Sequence, residues 1–121
     1  MDKILFTGHR NKTIGHSELS KLLEKYRDFV WMHGGAPGFD SQIEQYAKEN
    51  NITTEIHLPD YKNNHPKKAP LIRNLEMIEQ CRIVVACYDG RTTGGTYFTI
   101  KEARKQSKTI VQIIPHRHIS K

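Results

Sequence analysis

Three glycine-containing segments of the sequence carry residues that can hold an anionic ligand. They span residues 7–10, 33–40 and 89–96, and each follows a short apolar run. Glycine has no Cβ, so a ligand can approach the backbone closely there. The helix start that follows such a turn offers unpaired N–H groups and the positive end of its dipole to a phosphate or carboxylate. The alternative is a tight turn without a ligand, because short glycine motifs often occur by chance.

Two arginines and an asparagine are the candidate polar contacts to such a ligand. Arg10 follows the first apolar run, where its guanidinium can bind a phosphate through two parallel hydrogen bonds or remain solvated. Helical spacing places Asn74 among apolar positions and Arg73 at their edge. A buried amide needs hydrogen-bond partners. Asn74 therefore either binds the backbone or joins Arg73 in facing a ligand or holding a neighbouring loop.

Asp89 and Asp40 supply carboxylates beside the same turns. Each can bind a ligand hydroxyl or act as an acid or base. Capping a turn or a helix start is the simpler interpretation of both residues. Thr96 can cap its own helix while its hydroxyl and N–H face a phosphate.

The sequence lacks the motifs of several other chemistries. Its seven histidines show neither HExxH nor a paired Cys/His spacing, so no metal site is expected. It contains no GxxxxGK[ST], GxGxxG or GxSxG motif. Cys81 and Cys87 do not form a CxxC pair and are expected to be buried free thiols. No cofactor is expected.

At 121 residues the chain is long enough for one domain with a single core. Its 19 Lys and Arg against 13 Asp and Glu give a net charge of +6, which favours anionic partners such as nucleotides, phosphosugars or nucleic acid. The basic residues are scattered, which makes nucleic acid the weaker alternative. No apolar run is long enough to cross a membrane, and the N-terminus does not resemble a signal peptide. A cytoplasmic protein without membrane contact is expected.

Apolar periodicity predicts five strands that alternate with four helices. The strands are expected at 3–8, 30–32, 53–58, 82–88 and 109–114, and the helices at 17–26, 41–47, 70–78 and 96–103. Ser17 is the expected cap of the first helix, and Asp40 or Ser41 that of the second, with Glu44 completing a capping box. Residues 60–68 form a polar loop that can serve as a binding loop or lid. The core covers about 3–115, and the tail 116–121 is expected to be frayed.

This alternation predicts the α/β class: a single domain with a five-stranded, mainly parallel sheet and helices on both faces. Ligands of such sheets bind at the carboxyl ends of the strands, near the point where strand order reverses. All three glycine segments lie on that edge. Their convergence favours a ligand that contains phosphate.

Four motifs in this order resemble the SLOG superfamily and are most similar to its small YspA-type members. They lie at 7–10, 33–40, 69–77 and 86–96. They include GGA-x-G-x-D, a proline with Arg-Asn a few residues after it, and DG-R before GGT. The resemblance covers about residues 3–115. It implies a Rossmann-like fold for the single domain 1–121 and a ligand derived from a nucleotide. Relatives are often homo-oligomers, so a homodimer is expected.

The superfamily includes the lonely-guy cytokinin-activating phosphoribohydrolases, the Rossmann domain of DNA-processing protein A and proposed nucleotide sensors of bacterial conflict systems. In the phosphoribohydrolases, an arginine of the third helix and the glutamate of a PGGxGTxxE motif cleave an N-glycosidic bond. Arg73 matches that arginine, whereas Thr99 stands where the glutamate is expected. Glu102 lies further along the helix. This departure argues against a simple carry-over of hydrolase activity.

The leading hypothesis is a sensor or carrier module that binds a nucleotide or a nucleotide-derived small molecule at the carboxyl edge of the sheet. One alternative is an N-glycosidase, or phosphoribohydrolase, of a nucleoside monophosphate, in which Arg73 holds the phosphate and Asp89 or Asp40 replaces the glutamate. A second is a nucleic-acid-binding module. For an enzyme, the predicted catalytic residues are Arg73 and Asp89. The predicted ligand-binding residues are Gly8, His9, Arg10, Gly34, Gly35, Asp40, Arg73, Asn74, Asp89, Gly94, Gly95 and Thr96.

Overall fold

The computed structural model describes residues 1–116, which form nine elements around one parallel sheet. The strands are β1 (Lys3–Gly8), β2 (Val30–His33), β3 (Thr54–Ile56), β4 (Ile83–Cys87) and β5 (Thr109–Ile113). The helices are α1 (His16–Tyr26), α2 (Phe39–Glu49), α3 (Ala69–Glu79) and α4 (Gly95–Lys105). The strand order is β3-β2-β1-β4-β5, and every neighbouring pair is parallel. The predicted α/β class is confirmed.

Helices cover both faces of the sheet, because successive strand residues point to opposite sides. On one face, Ile4, Phe6 and Trp31 pack with apolar residues of α1 and α2. The ring centroids of Phe6 and Trp31 are 4.7 Å apart. On the other face, Leu5 and Met32 pack with apolar residues of α3 and α4. The central strands are therefore fixed from both sides, and so are the loops that leave their carboxyl ends.

All nine elements lie within two residues of the predicted bounds, but the cap of α1 and the length of β3 differ from the prediction. α1 begins after Gly15 and no side chain caps its first turn, so Ser17 is not the cap. β3 is an edge strand limited to Thr54–Ile56 instead of 53–58, because its one partner, β2, ends at His33 opposite Ile56. A short edge strand leaves few backbone groups open to pairing with another chain.

The predicted capping box of α2 is wrong. The helix begins after Gly38, and both Asp40 and Ser41 lie in its first turn without capping it. The carboxylate of Glu44 contacts Nε2 of His33 instead of the backbone at the helix start. Side chains of the first two turns of α2 therefore bind the loop and strand before the helix, which matters for the site described below.

Both cysteines are buried free thiols, as the sequence predicts. Burial raises the pKa of Cys87 to about 12 and also raises that of Cys81, so neither is a reactive thiolate. The predicted tail begins at His116, whose backbone N–H donates to the carbonyl of Thr13 over 2.6 Å. Residues 117–121 lie outside the described part of the chain, and with them the prediction of a frayed end. No helix within residues 1–116 is long and apolar enough to cross a membrane.

Candidate functional site

The loops after β1, β2 and β4 meet at the carboxyl edge of the sheet, where strand order reverses between β1 and β4. They line a cavity of about 460 Å³, here called the anion cavity. Gly35 and Asp89 lie outside its lining. The other ten residues predicted to bind a ligand line it, namely Gly8, His9, Arg10, Gly34, Asp40, Arg73, Asn74, Gly94, Gly95 and Thr96.

Arg73 links α3 to two loops at this edge. Its Nη1 donates to the backbone carbonyls of Gly34 and His57, over 2.8 and 2.9 Å, and its Nε donates to Oδ1 of Asn74 over 2.8 Å. Burial lowers the pKa of Arg73, but from so high an ordinary value that the guanidinium stays charged. Within residues 1–116 no acceptor contacts Nη2. Arg73 therefore holds both loops and retains donors for an anion.

Gly34 makes room for this guanidinium. An added Cβ would lie 2.5 Å from Nη1 and 2.7 Å from Cζ of Arg73. The space beside Gly34 is thus filled by the protein itself, whereas the sequence suggested that a ligand approaches the backbone there. The backbone is open at another predicted position, Gly94.

The start of α4 offers exposed backbone to the anion cavity. An added Cβ on Gly94 would meet no atom within 4 Å, and its φ of +91° favours glycine. Gly95 and Thr96 form the first turn, whose N–H groups have no partner within the helix, and no side chain caps it. These N–H groups are available to a phosphate, together with the positive end of the helix dipole.

Asp40 places a nearly buried carboxylate, 6% exposed, on the cavity wall. Its Oδ2 accepts hydrogen bonds from the N–H groups of Gly34 and Ala36, each over 3.2 Å. Its Oδ1 is buried and has no hydrogen-bond partner in the described part of the chain. Burial raises the pKa of Asp40, against the lowering effects of His33, the Ala36 N–H and Arg73. An unpaired buried oxygen is costly, so a ligand hydroxyl or amine can satisfy Oδ1.

His33 and Glu44 support the same loop, and sequence reasoning missed this pair. The N–H of Gly35 donates to Nδ1 of His33 over 3.0 Å, so the ring proton lies on Nε2, which contacts Oε1 of Glu44 at 2.7 Å. Burial alone would raise the pKa of Glu44, but hydrogen bonds from His33 and Thr54 lower it. The pair joins β2 to α2. Its partners are 11 residues apart, and no local pattern marks them.

The carboxylate of Asp89 pairs with the side chain of Arg91. The Nε of Arg91 lies 3.0 and 3.1 Å from the two carboxylate oxygens, and its backbone N–H donates to Oδ1 over 3.1 Å, so Asp89 caps this turn as the simpler interpretation predicted. The side chain of Arg91 holds the pKa of Asp89 far below its ordinary value. Asp89 therefore stays ionised at neutral pH and has no proton to donate as a general acid.

His9 lies behind Asp89 and is buried. The backbone N–H of Asp89 donates to its Nε2 over 3.2 Å, and Oδ1 of Asp89 lies 3.0 Å from the same nitrogen. Burial lowers the pKa of His9, although Asp89 partly offsets this effect. A neutral ring accepts the N–H bond at Nε2, whereas a protonated ring would donate from Nε2 to the carboxylate. His9 thus positions the loop after β4 through Asp89.

The position of the phosphoribohydrolase glutamate contributes no carboxylate. Thr99 is 1% exposed, lies outside the lining of the anion cavity, and its Oγ1 has no hydrogen-bond partner in the described residues. Glu102 lines a different cavity and pairs with Lys105 at 3.3 Å. Within residues 1–116, Asp40 is the one carboxylate of the anion-cavity lining.

Seven further residues line the cavity and were not predicted: Phe6, Thr7, Asn11, Ala36, Pro70, Met77 and Arg91. Most of them belong to the motifs that carry the resemblance, so a signal was present, whereas Asn11 follows no local pattern. In the part of the chain that the structure describes, no three His, Cys, Asp or Glu side chains group as a metal site.

Comparisons with known proteins give one family and one fold. The sequence profile of the YspA, cpYpsA-related SLOG family matches residues 2–64. The gene 61 protein of Mycobacterium phage D29 is 28% identical over 120 residues, covering 92% of this chain and 95% of the phage protein. The X-ray structure of DNA processing protein A from Streptococcus pneumoniae has a TM-score of 0.68 at 17% identity, covering 93% of this chain and 50% of that chain. This chain thus spans half of the pneumococcal protein and shares its fold.

Proposed function

Because the chain belongs to the YspA, cpYpsA-related SLOG family, we propose that it binds a nucleotide or a nucleotide-derived ligand in the anion cavity, as a sensor or carrier module. Membership of this family suggests a role related to nucleotides or nucleic acids. The proposal adds the place of binding and the chemistry of recognition.

The charge of the cavity lining carries the proposal. Three guanidinium groups, those of Arg10, Arg73 and Arg91, line a space that has Asp40 as its one carboxylate among the described residues. Guanidinium groups match the geometry of phosphate oxygens. The volume of about 460 Å³ lies within the range of roughly 300–1,000 Å³ that is usual for small-molecule sites. A compact phosphate ester with hydroxyl donors fits these features.

In this proposal the first turn of α4 and Arg10 bind the phosphate. Arg73 supplies a fixed counter-charge from Nη2. Oδ1 of Asp40 accepts a hydrogen bond from a sugar hydroxyl. Asp89 acts on the ligand through Arg91, which it holds beside the cavity.

A thermal-shift panel followed by chromatography tests the proposal. The panel contains nucleoside mono-, di- and triphosphates, cyclic dinucleotides, ADP-ribose and ribose 5-phosphate. A ligand that binds the folded state raises the melting temperature according to its concentration relative to Kd. We expect at least one nucleotide to stabilise the protein and to be recovered unchanged. If no compound stabilises it while single-stranded DNA binds with a steep salt dependence, the nucleic-acid alternative replaces this proposal.

The unpaired oxygen of Asp40 favours one enzymatic alternative, an N-glycosidase of a nucleoside monophosphate. Asp40 has a raised pKa and lies in the cavity lining, whereas Asp89 is ionised and lies outside it. Release of free base from AMP, abolished by Asp40→Asn and retained by Asp89→Asn, would establish that activity. AMP recovered intact at high protein concentration excludes it for this substrate.

We also propose a cytoplasmic location, which the two free thiols support. The homodimer expected from the resemblance is tested by sedimentation equilibrium of the full chain. A protein that stays monomeric at high micromolar concentration contradicts that expectation.

A further inference from the structure

A second cavity adjoins the anion cavity at the starts of α3 and α4. Its volume is about 470 Å³, and we call it the aromatic cavity. Leu71, Tyr97 and Phe98 form its apolar wall, and Lys67, Lys101 and Glu102 provide charged groups. Gly94 and Gly95 line both cavities. The two spaces therefore meet across a short piece of backbone that has no side chains.

The shared glycines leave the passage between the cavities open. A Cβ on Gly94 would meet no atom within 4 Å, and a Cβ on Gly95 would meet only Nδ2 of Asn74, at 3.6 Å. One ligand can thus extend from the first turn of α4 in the anion cavity over this backbone into the aromatic cavity.

We propose that the aromatic cavity binds the nucleobase of the ligand whose phosphate occupies the anion cavity, an inference that rests on the proposed function. Tyr97 and Phe98 are half-buried, so each keeps a ring surface for contact. Nζ of Lys101 lies 5.3 Å from the ring centroid of Tyr97, which places a donor beside any base that stacks there. Aromatic rings bind all bases by stacking, so this subsite sets the ligand class and leaves the choice of base to the polar side chains.

The cavity suits a ring better than a polypeptide. Its volume is that of a small-molecule site, and it shares Gly94 and Gly95 with a cavity of opposite chemistry, rich in guanidinium groups. A nucleotide has the same two parts, an anionic end and a planar apolar end. The arrangement of the two cavities therefore matches a nucleotide more closely than a sugar phosphate alone.

Titration calorimetry on the full chain tests the subsite with two probes, AMP and ribose 5-phosphate. Phe98→Leu and Tyr97→Leu keep apolar volume and remove one ring each. Phe29→Leu is the matched control, at a partly buried residue directly before β2. We expect each of the two cavity variants to weaken AMP binding by roughly ten-fold, the scale of base stacking, and to leave ribose 5-phosphate binding within about two-fold. Phe29→Leu should leave both affinities unchanged.

Gly95→Ala tests the passage. Its Cβ makes only an ordinary contact within the protein, so the fold should tolerate it while the methyl group obstructs a ligand that crosses the backbone. We expect a larger loss for AMP than for ribose 5-phosphate.

Three results would overturn the inference. If wild-type protein binds AMP no more tightly than ribose 5-phosphate, or if the ring variants weaken both probes equally, the subsite is wrong and the proposed function stands. If neither probe nor any other nucleotide binds, the proposed function fails and the subsite with it. If the wild type sediments as a dimer that Tyr97→Leu dissociates, a second copy of the chain occupies the aromatic cavity.

Discussion

The guanidinium of Arg73 occupies the space that a side chain on Gly34 would need. Nη1 donates to the Gly34 carbonyl over 2.8 Å and lies 2.5 Å from the place of an added Cβ. Gly34 is not one of the glycines with positive φ, so the guanidinium is the main obstacle to alanine. We expect Gly34→Ala to lower the free energy of unfolding by about 1–3 kcal/mol, the usual cost of overpacking, measured by urea denaturation.

A double-mutant cycle isolates that contact. In the Arg73→Ala background, the same Gly34→Ala change should cost less than about 0.5 kcal/mol, because the colliding group is absent. Gly95→Ala is the matched glycine control and should not destabilise the protein. Additive effects of the two substitutions would show that Gly34 is required for another reason.

Arg10 is exposed and lines the anion cavity, so its replacement should affect binding without affecting stability. We expect Arg10→Gln to weaken AMP binding by about ten-fold, since a charged hydrogen bond contributes roughly 1.5 kcal/mol. The melting temperature of the free protein should be unchanged. Calorimetric titration provides both the affinity and the binding enthalpy.

Arg82→Gln is the control for Arg10→Gln, because it removes the same charge at the opposite edge of the sheet. Arg82 directly precedes β4 and pairs with Asp2 at 2.8 Å. We expect it to leave AMP affinity within about two-fold. Equal losses in the two variants would mean that net charge, and no defined site, attracts the nucleotide.

Much of the fold is predictable from this sequence because its patterns are local. The apolar run at 83–87 and the alternation of Ile4, Leu5 and Phe6 between the two faces depend only on neighbouring residues. The predicted cap of α2 was wrong for a tertiary reason. The helix begins after Gly38, so Asp40 lies in its first turn, where its carboxylate accepts the Gly34 and Ala36 N–H groups.

The candidate site likewise has a part that local sequence patterns predict and a part that depends on tertiary contacts. Residues in motifs converge because parallel strands bring their carboxyl ends to one edge, which is why ten predicted residues line one cavity. The space beside Gly34 was misjudged, because no sequence pattern reveals that Arg73, 39 positions away, fills it. The aromatic cavity was also missed, since Tyr97 and Phe98 look like ordinary residues of an amphipathic helix.

Replacing Asp89 shows whether this residue acts on the ligand through Arg91 or binds the ribose directly. Asp89→Asn removes the charge that holds Arg91, so we expect binding of inorganic pyrophosphate to strengthen by roughly two- to five-fold, the scale of an exposed ion pair. We expect the affinity for AMP to rise by a similar factor. Weaker AMP binding with unchanged pyrophosphate binding would instead place the Asp89 carboxylate on the ribose. Competition against a fluorescent nucleotide measures both.

Asp40 should make stability depend on pH with a distinctive sign. Its pKa in the folded state is raised above the ordinary value of 3.8, chiefly by burial. Between pH 3.8 and that raised pKa, the folded state therefore binds more protons than the unfolded state. The contribution of Asp40 to stability is therefore largest at low pH and is lost as the pH rises through its folded pKa. Asp40→Asn does not titrate, and its amide oxygen can still accept the two loop N–H bonds. We expect the variant to gain stability relative to wild type between pH 4 and 7.

Asp60→Asn is the control in the same experiment, because the pH dependence of stability that Asp60 causes has the opposite sign. Hydrogen bonds from Asn63 lower the pKa of Asp60, which is exposed, so its stabilising effect is present above pH 3.8 and is lost as the pH falls. The measurement is urea denaturation of wild type and both variants at pH 4, 5.5 and 7. Relative to wild type, the stability of Asp40→Asn should rise with pH, whereas the stability of Asp60→Asn should stay constant or fall. A flat difference for Asp40→Asn would mean that a bound proton or water already satisfies Oδ1, and it would remove the argument that this oxygen awaits a ligand.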